Sequence, residues 1–593
     1  MTFPAISGKD RTRVFAAVLL ALFLAALDQT IVSTALPKIV EDLRGVDRYA
    51  WVVTAYLLAS TSLVPVYGKL ADTYSRKAIE LVAIGLFLTG SFLCGLAGEW
   101  GTLPVLGDGM NQLIAFRAIQ GLGGAGLFAM TFIIIADLYP PAVRGKYQGF
   151  VGAVFGVASI LGPLAGGLLT DHATGWIPGV EGWRWVFYVN VPFGALAVWF
   201  VVTRMPPLRP AGAGGGVDWV GAAALVVGMV STVLVVQSAR DPRMEALMIA
   251  GAVACLVFFV RRSLTHPSPL LDLGLFRNAV FRRANIAGFF SGASFLSVIV
   301  FLPLFLVNVL GVSATRAGVA LIPLSMGVVF GATLAGQLVS RIGHYRWIMT
   351  VGLSVLAVGI AMLSRLTVDT GYSSVAAIMV LCGAGIGPTF PLFTLAIQNA
   401  VPVTHLGQAT SAAQFFRQIG GTFGAAAMGA VMAVTLTTHL AQLDGTRPGW
   451  AGYEAEPEVL ATTGGSELEL EVTRHFVSRT EALLSASGED PPSFTEDELP
   501  GFVRDLLEEA PVDPHAVARA MGFAAEDVVE EVRHVVRSTF ALAVRRIYGA
   551  TLVLVLVAAA VTAALPELPL RKEHDAEVAA PPPAGGRPLG RSN

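Results

Sequence analysis

Fourteen long apolar runs are distributed along the 593 residues of this chain. The first run, residues 14–37, has 24 residues. As a helix it would be about 36 Å long, and a bilayer core is about 30 Å thick. The runs are continuous and do not alternate in polarity, which predicts membrane-spanning helices and not strands. They lie near 14–37, 50–71, 79–98, 112–136, 148–170, 185–203, 218–237, 246–262, 284–310, 316–339, 347–364, 374–397, 408–436 and 541–565.

Composition supports a polytopic membrane protein. Only 14% of the residues are charged, against about 25% in soluble proteins. The three cysteines, Cys94, Cys255 and Cys382, all lie inside apolar runs, so we interpret them as packing residues without disulfide or metal spacing. The sequence has no phosphate-binding loop and no catalytic cluster, which argues against an ATP-driven pump and against a membrane enzyme.

Short connecting segments rich in Lys and Arg predict the orientation, because such loops stay in the cytoplasm. They all fall on one side of the predicted membrane, and the even number of runs then places both termini in the cytoplasm. The cationic residues in these segments are Lys9, Arg11, Arg13, Arg76, Lys77, Arg144, Lys146, Arg261, Arg262, Arg277, Arg282, Arg283, Arg341, Arg346, Arg571 and Lys572.

Residues 437–540 break this pattern as a long loop on the outer side. Residues 441–535 hold 21 of the 42 acidic residues, six Arg and no Lys. Amphipathic helices are predicted over 467–484, 495–509 and 524–546, and we expect the last to continue into run 14. A solvated cap is one interpretation of this module, and a substrate or partner site is the other. The tail after Arg571 is rich in Pro, Ala and Gly, which predicts disorder.

The loop after run 2 carries the first specific motif. It reads Gly68-Lys69-Leu70-Ala71-Asp72-Thr73-Tyr74-Ser75-Arg76-Lys77, and a plain basic loop would not need Gly and Asp four residues apart. The segment resembles the G-x-L-a-D-r-x-G-r-k signature of the major facilitator superfamily. Ser75 replaces the usual second Gly, and Thr73 replaces a usual Arg. The resemblance implies a cytoplasmic gate formed by Gly68, Asp72, Arg76 and Lys77.

The chain repeats this motif weakly after run 10. Residues 336–343, Gly-Gln-Leu-Val-Ser-Arg-Ile-Gly, follow at the same spacing, with Ser340 where Asp72 stood. Such an internal repeat is expected of a transporter built from two related bundles. Runs 1–6 and 9–14 would form the bundles, and runs 7 and 8 an inserted pair.

Two ionisable residues lie inside apolar runs. Asp28 is preceded by more than a dozen apolar residues, and Arg117 lies several residues inside run 4. Charges at membrane depth usually face a protein interior or a water cavity and mark an ion path. A hydrated Asp near the interface and an Arg that extends outward to water are the simpler alternatives. The resemblance implies that Asp28 and Arg117 couple transport to protons.

Further motifs resemble one branch of that superfamily, the fourteen-helix drug:proton antiporters. Residues 27–37, LDQTIVSTALP, are similar to its L-D-x-T-I-V-N-V-A-L-P, and residues 183–194, WRWVFYVNVPFG, to its W-R-W-I-F-x-I-N-x-P-x-G. Residues 416–421, FRQIGG, also fit. In run 5, Gly162-Pro163-Leu164-Ala165-Gly166-Gly167 resembles the antiporter signature, although Gly and Pro alone would indicate only close packing. The motif residues there are Gly162, Pro163, Gly166 and Gly167.

The resemblance implies an all-α polytopic membrane protein with the major facilitator fold: two six-helix bundles plus two inserted helices, fourteen in total. We expect a multi-pass protein of the cell membrane. The expected divisions are an N-terminal bundle (1–205), the inserted pair (206–265), helices 9–13 (266–436), the acidic outer module (437–540), helix 14 (541–570) and a cytoplasmic tail (571–593).

The function that this implies is proton-coupled export of amphipathic small molecules such as drugs, dyes and toxic metabolites, by alternating access. Burial would favour the neutral acid of Asp28, which could bind a proton from outside and release it inward. A lipid or envelope-precursor flippase is the alternative, and a sensor without transport is a third. We expect a monomer in the bilayer, with protons as coupling ion, no other cofactor and no nucleic acid partner. The candidate substrate-cavity residues are Thr30, Gln120, Phe305, Phe393, Gln398, Gln414 and Arg417.

Overall fold

The computed structural model describes residues 8–45, 48–178, 180–206, 208, 216–238, 242–312, 319–444 and 525–572. Within these ranges the regular structure is helical, apart from one isolated bridge between Leu103 and Gly107. The predicted helices over 467–484 and 495–509 and the predicted disordered tail from residue 573 lie outside the described residues.

Sixteen α-helices are labelled in chain order. They are α1 (Gly8–Leu43), α2 (Tyr49–Thr73), α3 (Arg76–Gly95), α4 (Gly109–Leu138), α5 (Pro141–His172), α6 (Trp185–Tyr188), α7 (Asn190–Arg204), α8 (Trp219–Ser238), α9 (Pro242–Thr265), α10 (Ala279–Asn308), α11 (Ile322–Ile342), α12 (Tyr345–Leu363), α13 (Tyr372–Ile386), α14 (Thr389–Ala400), α15 (Leu406–Asp444) and α16 (Ala525–Ala563).

These helices account for all fourteen apolar runs. Thirteen spans in the described part of the chain are long and apolar enough to cross a bilayer, with α6–α7 and α13–α14 each counted as one broken span. The remaining run corresponds to α8, which contains the shorter apolar stretch Trp219–Thr232. The chain is therefore a multi-pass membrane protein. α16 is continuous from residue 525, which confirms that the last amphipathic segment of the outer module continues into run 14.

The helices pack as two bundles and a peripheral pair. In the N-terminal bundle, α1 packs on α4, α5 and α7, while α2 and α3 pack on α4. In the C-terminal bundle, α10 packs on α15 and α16, α11 on α13, and α12 on α13 and α16. The pair α8 and α9 pack on each other, and α8 also contacts α2. The predicted architecture of two six-helix bundles with an inserted helix pair is confirmed.

Two helix pairs form the main seams between the bundles, α2 with α15 and α5 with α11, and α14 also contacts α5. Glycines allow close backbone approach in both seams. A Cβ on Gly68 would overlap the Ser411 side chain, and one on Gly336 would overlap the carbonyl oxygen of Gly145. The seams therefore depend on positions without side chains, as is usual where membrane helices pack closely.

Candidate functional site

A buried polar network surrounds Asp28 in the N-terminal bundle. The Asp28 side chain is fully buried, and Arg117 donates from Nη1 to Oδ2 at 2.6 Å. Gln120 Nε2 and Asn190 Nδ2 donate to Oδ1 at 2.8 and 3.1 Å. Both carboxylate oxygens thus have hydrogen-bond donors, so the carboxylate is compensated although it is out of reach of bulk water.

Arg117 is held by several groups besides Asp28. Its Nη1 also donates to Gln120 Oε1 at 2.7 Å, and its Nε donates to the Val52 carbonyl at 3.3 Å. The guanidinium lies over the Tyr56 ring, 4.4 Å from its centroid. Arg117 is only 2% exposed. An arginine that extends outward to water and a hydrated Asp near the interface therefore do not describe this pair.

The tryptophan-rich segment before α7 positions Asn190. Trp183 donates from its indole Nε1 to Asp42 at 2.9 Å, and Arg184 Nη1 donates to the carbonyls of Gly95 and Ala97 at 2.8 and 2.9 Å. These bonds tie the segment to α1 and α3. α7 then begins at Asn190, whose Nδ2 also donates to Ser91 at 3.0 Å.

The small residues of α5 bring that helix against α1. A Cβ on Gly162 would overlap Thr30, and one on Gly166 would overlap Thr34, whereas Gly167 faces open space. Thr30 donates to the Ala158 carbonyl at 2.9 Å and so joins the two helices. Pro163 lies within α5 without ending it. This packing holds α5 against the part of α1 that carries Asp28. A contact between Thr30 and a substrate stays a prediction.

Asp72 joins the bundles at the end of the molecule where α2, α4 and α16 end and where α3, α5 and α15 begin. We call this end the basic face. The Asp72 carboxylate accepts hydrogen bonds from the backbone N–H groups of Gly407 and Gln408, at 2.7 and 2.8 Å. These are the second and third residues of α15, where the unpaired N–H groups and the helix dipole favour an anion. A carboxylate of the N-terminal bundle thus caps a helix of the C-terminal bundle.

The cationic residues of the same loop stay within the N-terminal bundle. Arg76 Nε pairs with Asp137 Oδ2 of α4 at 2.9 Å, with both side chains buried. Lys77 donates to the Val202 carbonyl at 2.7 Å. Ser75, where the motif has Gly, has φ −62° and ψ 128°. That conformation is open to any residue, so the turn does not require Gly.

A second set of contacts closes the basic face around Gln398 of α14. Its Oε1 accepts from Arg144 and from Gln148, both of α5, at 3.2 and 3.0 Å. Its Nε2 donates to the Phe132 carbonyl of α4 at 3.2 Å and to Thr410 at 2.9 Å. Gln398 therefore bridges the bundles in this state.

The C-terminal candidates lie among apolar groups. Phe305 is fully buried and Phe393 is 4% exposed. Arg417 donates to Gln414 and lies over the Phe390 ring, 4.3 Å from its centroid. Among the residues that the structure describes, no carboxylate pairs with Arg417.

Three members of the network were not expected from the sequence: Tyr56, Ser91 and Asn190. Asn190 belongs to the motif of residues 183–194. A polar residue at that place in the apolar run 6 was the sequence signal for its role in the network. Glu80 of α3 was also missed. It is fully buried, and neither carboxylate oxygen has a hydrogen-bond partner in the described part of the chain. The sequence signal for Glu80 was its position as the second residue of the apolar run 3.

Comparison with known proteins adds an independent result. The family model of the Major Facilitator Superfamily matches residues 18–425. The chain is 37% identical over 427 residues to multidrug transporter protein MdtP of Bacillus subtilis, covering 71% of this chain and 75% of that protein. It is 36% identical over 448 residues to multidrug resistance protein 3 of the same organism, covering 74% and 83%. It is also 31% identical over 428 residues to the efflux pump dotC of Dothistroma septosporum, covering 70% and 71%.

Solved structures agree on the fold. A bacterial homologue of the human lysosomal transporter Spinster, in an inward-facing and occupied conformation, matches with a TM-score of 0.51 at 17% identity, covering 94% of this chain and 97% of that one. The human organic anion transporter MFSD10 matches with a TM-score of 0.50 at 14% identity, covering 71% and 93%.

Proposed function

This chain belongs to the Major Facilitator Superfamily, and from that premise we propose that it is a multidrug efflux transporter. The relatives named above as a multidrug transporter, a multidrug resistance protein and an efflux pump support this proposal. The finer proposal is antiport: one or more protons enter the cell as an amphipathic molecule leaves. The basic face lies in the cytoplasm of a cell-membrane protein, with both termini on that side. A lipid flippase is not favoured by the relatives' names.

The buried Asp28–Arg117 pair is the observation that carries the proton proposal. Both oxygens of the Asp28 carboxylate accept hydrogen bonds, from Arg117, Gln120 and Asn190, and its negative charge is the counter-ion of Arg117. A proton that reaches Asp28 cancels this charge and leaves Arg117 without a counter-ion. Because an unpaired buried cation costs several kcal/mol, protonation favours a state in which Arg117 is rehydrated or paired elsewhere. Proton binding is thereby linked to helix rearrangement.

The contacts at the basic face indicate which part of the protein would rearrange when Asp28 binds a proton. Asp72 caps α15, and Gln398 bridges to α5, so this is a state closed at the basic face. Opening that face requires both sets of bonds to break. The cytoplasmic gate would be formed there by Gly68, Asp72, Arg76 and Lys77. Arg76 and Lys77 would hold the loop in place so that Asp72 can bond to α15.

The substrate would bind between the bundles as a small amphipathic molecule. Apolar and aromatic groups around Phe305, Phe393 and Phe390 suit an apolar body. Arg417, which has no carboxylate partner among the described residues, disfavours a dication nearby. The protein would act as a monomer, with protons as its only coupling ion.

Transport by the full-length protein in proteoliposomes tests this function. An imposed pH gradient should drive accumulation of a cationic dye, and a protonophore that collapses the gradient should abolish it. Labelled phospholipid in the same vesicles is the comparison substrate. Gradient-driven movement of the lipid without the dye would overturn the proposal, and so would dye movement that does not respond to the gradient.

A further inference from the structure

Two cavities adjoin on the C-terminal bundle, away from Asp28. The first is a groove of about 490 Å³ between α11 and α12, lined by apolar residues that include Phe330, Leu334, Trp347 and Val351. The second is a pocket of about 570 Å³ at the basic face. Ile342 and His344 line both. The apolar groove therefore leads directly into the pocket.

The groove has the properties of a lipid-facing surface. It runs along membrane-spanning helices, and Phe330 and Trp347 are 62% and 63% exposed. Trp347 lies in the first turn of α12, next to the pocket. Tryptophan is enriched where hydrocarbon meets head groups, so the junction of groove and pocket matches the depth at which a phospholipid changes from apolar to polar.

The pocket is cationic. Arg341 and Lys572 line it and are exposed, and in the described part of the chain neither makes an ion pair through its side chain. The one acidic lining residue, Glu567, is already engaged: Arg346 lies 3.8 Å away and His344 Nδ1 3.4 Å away. Two cations thus remain available for an anionic ligand.

The second copy of the loop motif explains why the pocket stays cationic. Ser340 stands where the first copy has Asp72, and its hydroxyl donates to the Gln337 carbonyl one turn earlier. A carboxylate at that position would neutralise Arg341 or Lys572. Gly343, with φ 78°, ends α11 and turns the chain towards His344, which completes the rim.

We propose that groove and pocket together bind one anionic glycerophospholipid, with its phosphate between Arg341 and Lys572 and an acyl chain along Trp347 and Val351. A free phosphate ion would leave the groove unused, and a zwitterionic lipid would add a cation to an already cationic pocket. Basic pockets beside membrane helices select anionic head groups for this reason. The site is separate from the proposed transport route and does not depend on it.

Native mass spectrometry of the full-length protein in a mild detergent tests the proposal. Phosphatidylglycerol and phosphatidylethanolamine with the same acyl chains are titrated separately, and the bound fraction is read from the mass. We expect tighter binding of phosphatidylglycerol. The double variant Arg341→Ala/Lys572→Ala should bind it about 30-fold more weakly, because each cation near a head group contributes about fivefold.

Three further variants separate charge, groove and fold. Arg341→Lys keeps the charge and should keep the preference. Val351→Trp fills the groove and should weaken both lipids. Arg261→Ala removes an exposed cation of the basic face outside the pocket and should change nothing. Equal phosphatidylglycerol binding by wild type and the double variant would overturn the proposal. A Val351→Trp variant that changes the oligomer mass but not lipid binding would do so too, since a second copy of the chain would then cover the groove.

Discussion

The two bundles treat buried polar groups differently. Among the described residues, the N-terminal bundle contains two ion pairs with both side chains buried, Asp28–Arg117 and Arg76–Asp137. The C-terminal bundle buries the amides Gln398, Asn399 and Gln414 and leaves Arg417 half-buried, and no buried carboxylate is found there among the described residues. A carboxylate can change its charge by binding a proton, whereas an amide or an arginine cannot. The difference supports the N-terminal bundle as the location of the proposed proton chemistry.

The contacts at the basic face repeat this difference. On one side the Asp72 carboxylate caps the start of α15. On the other side the start of α5 is met by a backbone group, because Ala142 N–H donates to the Arg571 carbonyl at 3.1 Å. One seam is thus held by a charged acceptor and the other by a neutral one.

The largest effect is expected for Asp28→Asn. Asp28→Asn removes the carboxylate that we propose carries the proton, so gradient-driven export should fall by about 100-fold or more. Arg117 would also lose its counter-ion, which lowers the free energy of unfolding by about 3–5 kcal/mol. Dye transport in proteoliposomes and thermal unfolding measure the two effects.

A second variant separates transport from stability. Asp28→Asn/Arg117→Gln leaves no unpaired buried charge, so it should recover most of the stability while transport stays lost. Wild-type accumulation by the Asp28→Asn protein would show that Asp28 does not carry the proton.

An intermediate effect is expected for Asp72→Asn. The amide keeps the shape but loses the charge that faces the start of α15. A hydrogen bond to a charged group contributes about 1.5–3 kcal/mol, so turnover should slow by about tenfold or more while substrate affinity is retained. Equilibrium dye binding and transport rates give the two quantities.

Ser340→Ala is the matched control for Asp72→Asn. It alters the corresponding position of the second half, where the hydroxyl donates to the Gln337 carbonyl of its own helix. We expect turnover within about twofold of wild type. A large effect here, or lost dye affinity in Asp72→Asn, would contradict the division between the two loops.

A smaller effect than for Asp28→Asn or Asp72→Asn is expected for Arg417→Gln. No carboxylate is left unpaired, and the main loss is the contact with Phe390, worth about 1 kcal/mol. The KM for the dye should change by about threefold to tenfold, with the pH profile of transport unchanged. If the profile instead shifts as it does in Asp28 variants, the C-terminal bundle takes part in proton coupling.

Sequence patterns predicted the spans because hydrophobicity over about twenty residues is a property of one segment. The pairing of Asp28 with Arg117, 89 residues apart, could only be suspected from the cost of leaving either charge alone at membrane depth. The breaks at Val189 and Gly387 were not predicted, since the apolar composition continues through both. The cap that the Arg571 carbonyl provides for α5 could not be predicted from the sequence either, because every residue has a backbone carbonyl.

The glycine seams have a consequence for the cost of motion. Where Gly68 meets α15 and Gly145 meets Gly336, backbone touches backbone and few rotamers are restricted. Separating such surfaces releases little side-chain entropy, and joining them removes little, whereas an ordered long side chain costs up to about 2 kcal/mol. The balance between closed and open forms then depends on a handful of directional bonds. The free energy of binding one proton or one substrate molecule is then enough to shift the equilibrium between the closed and open forms.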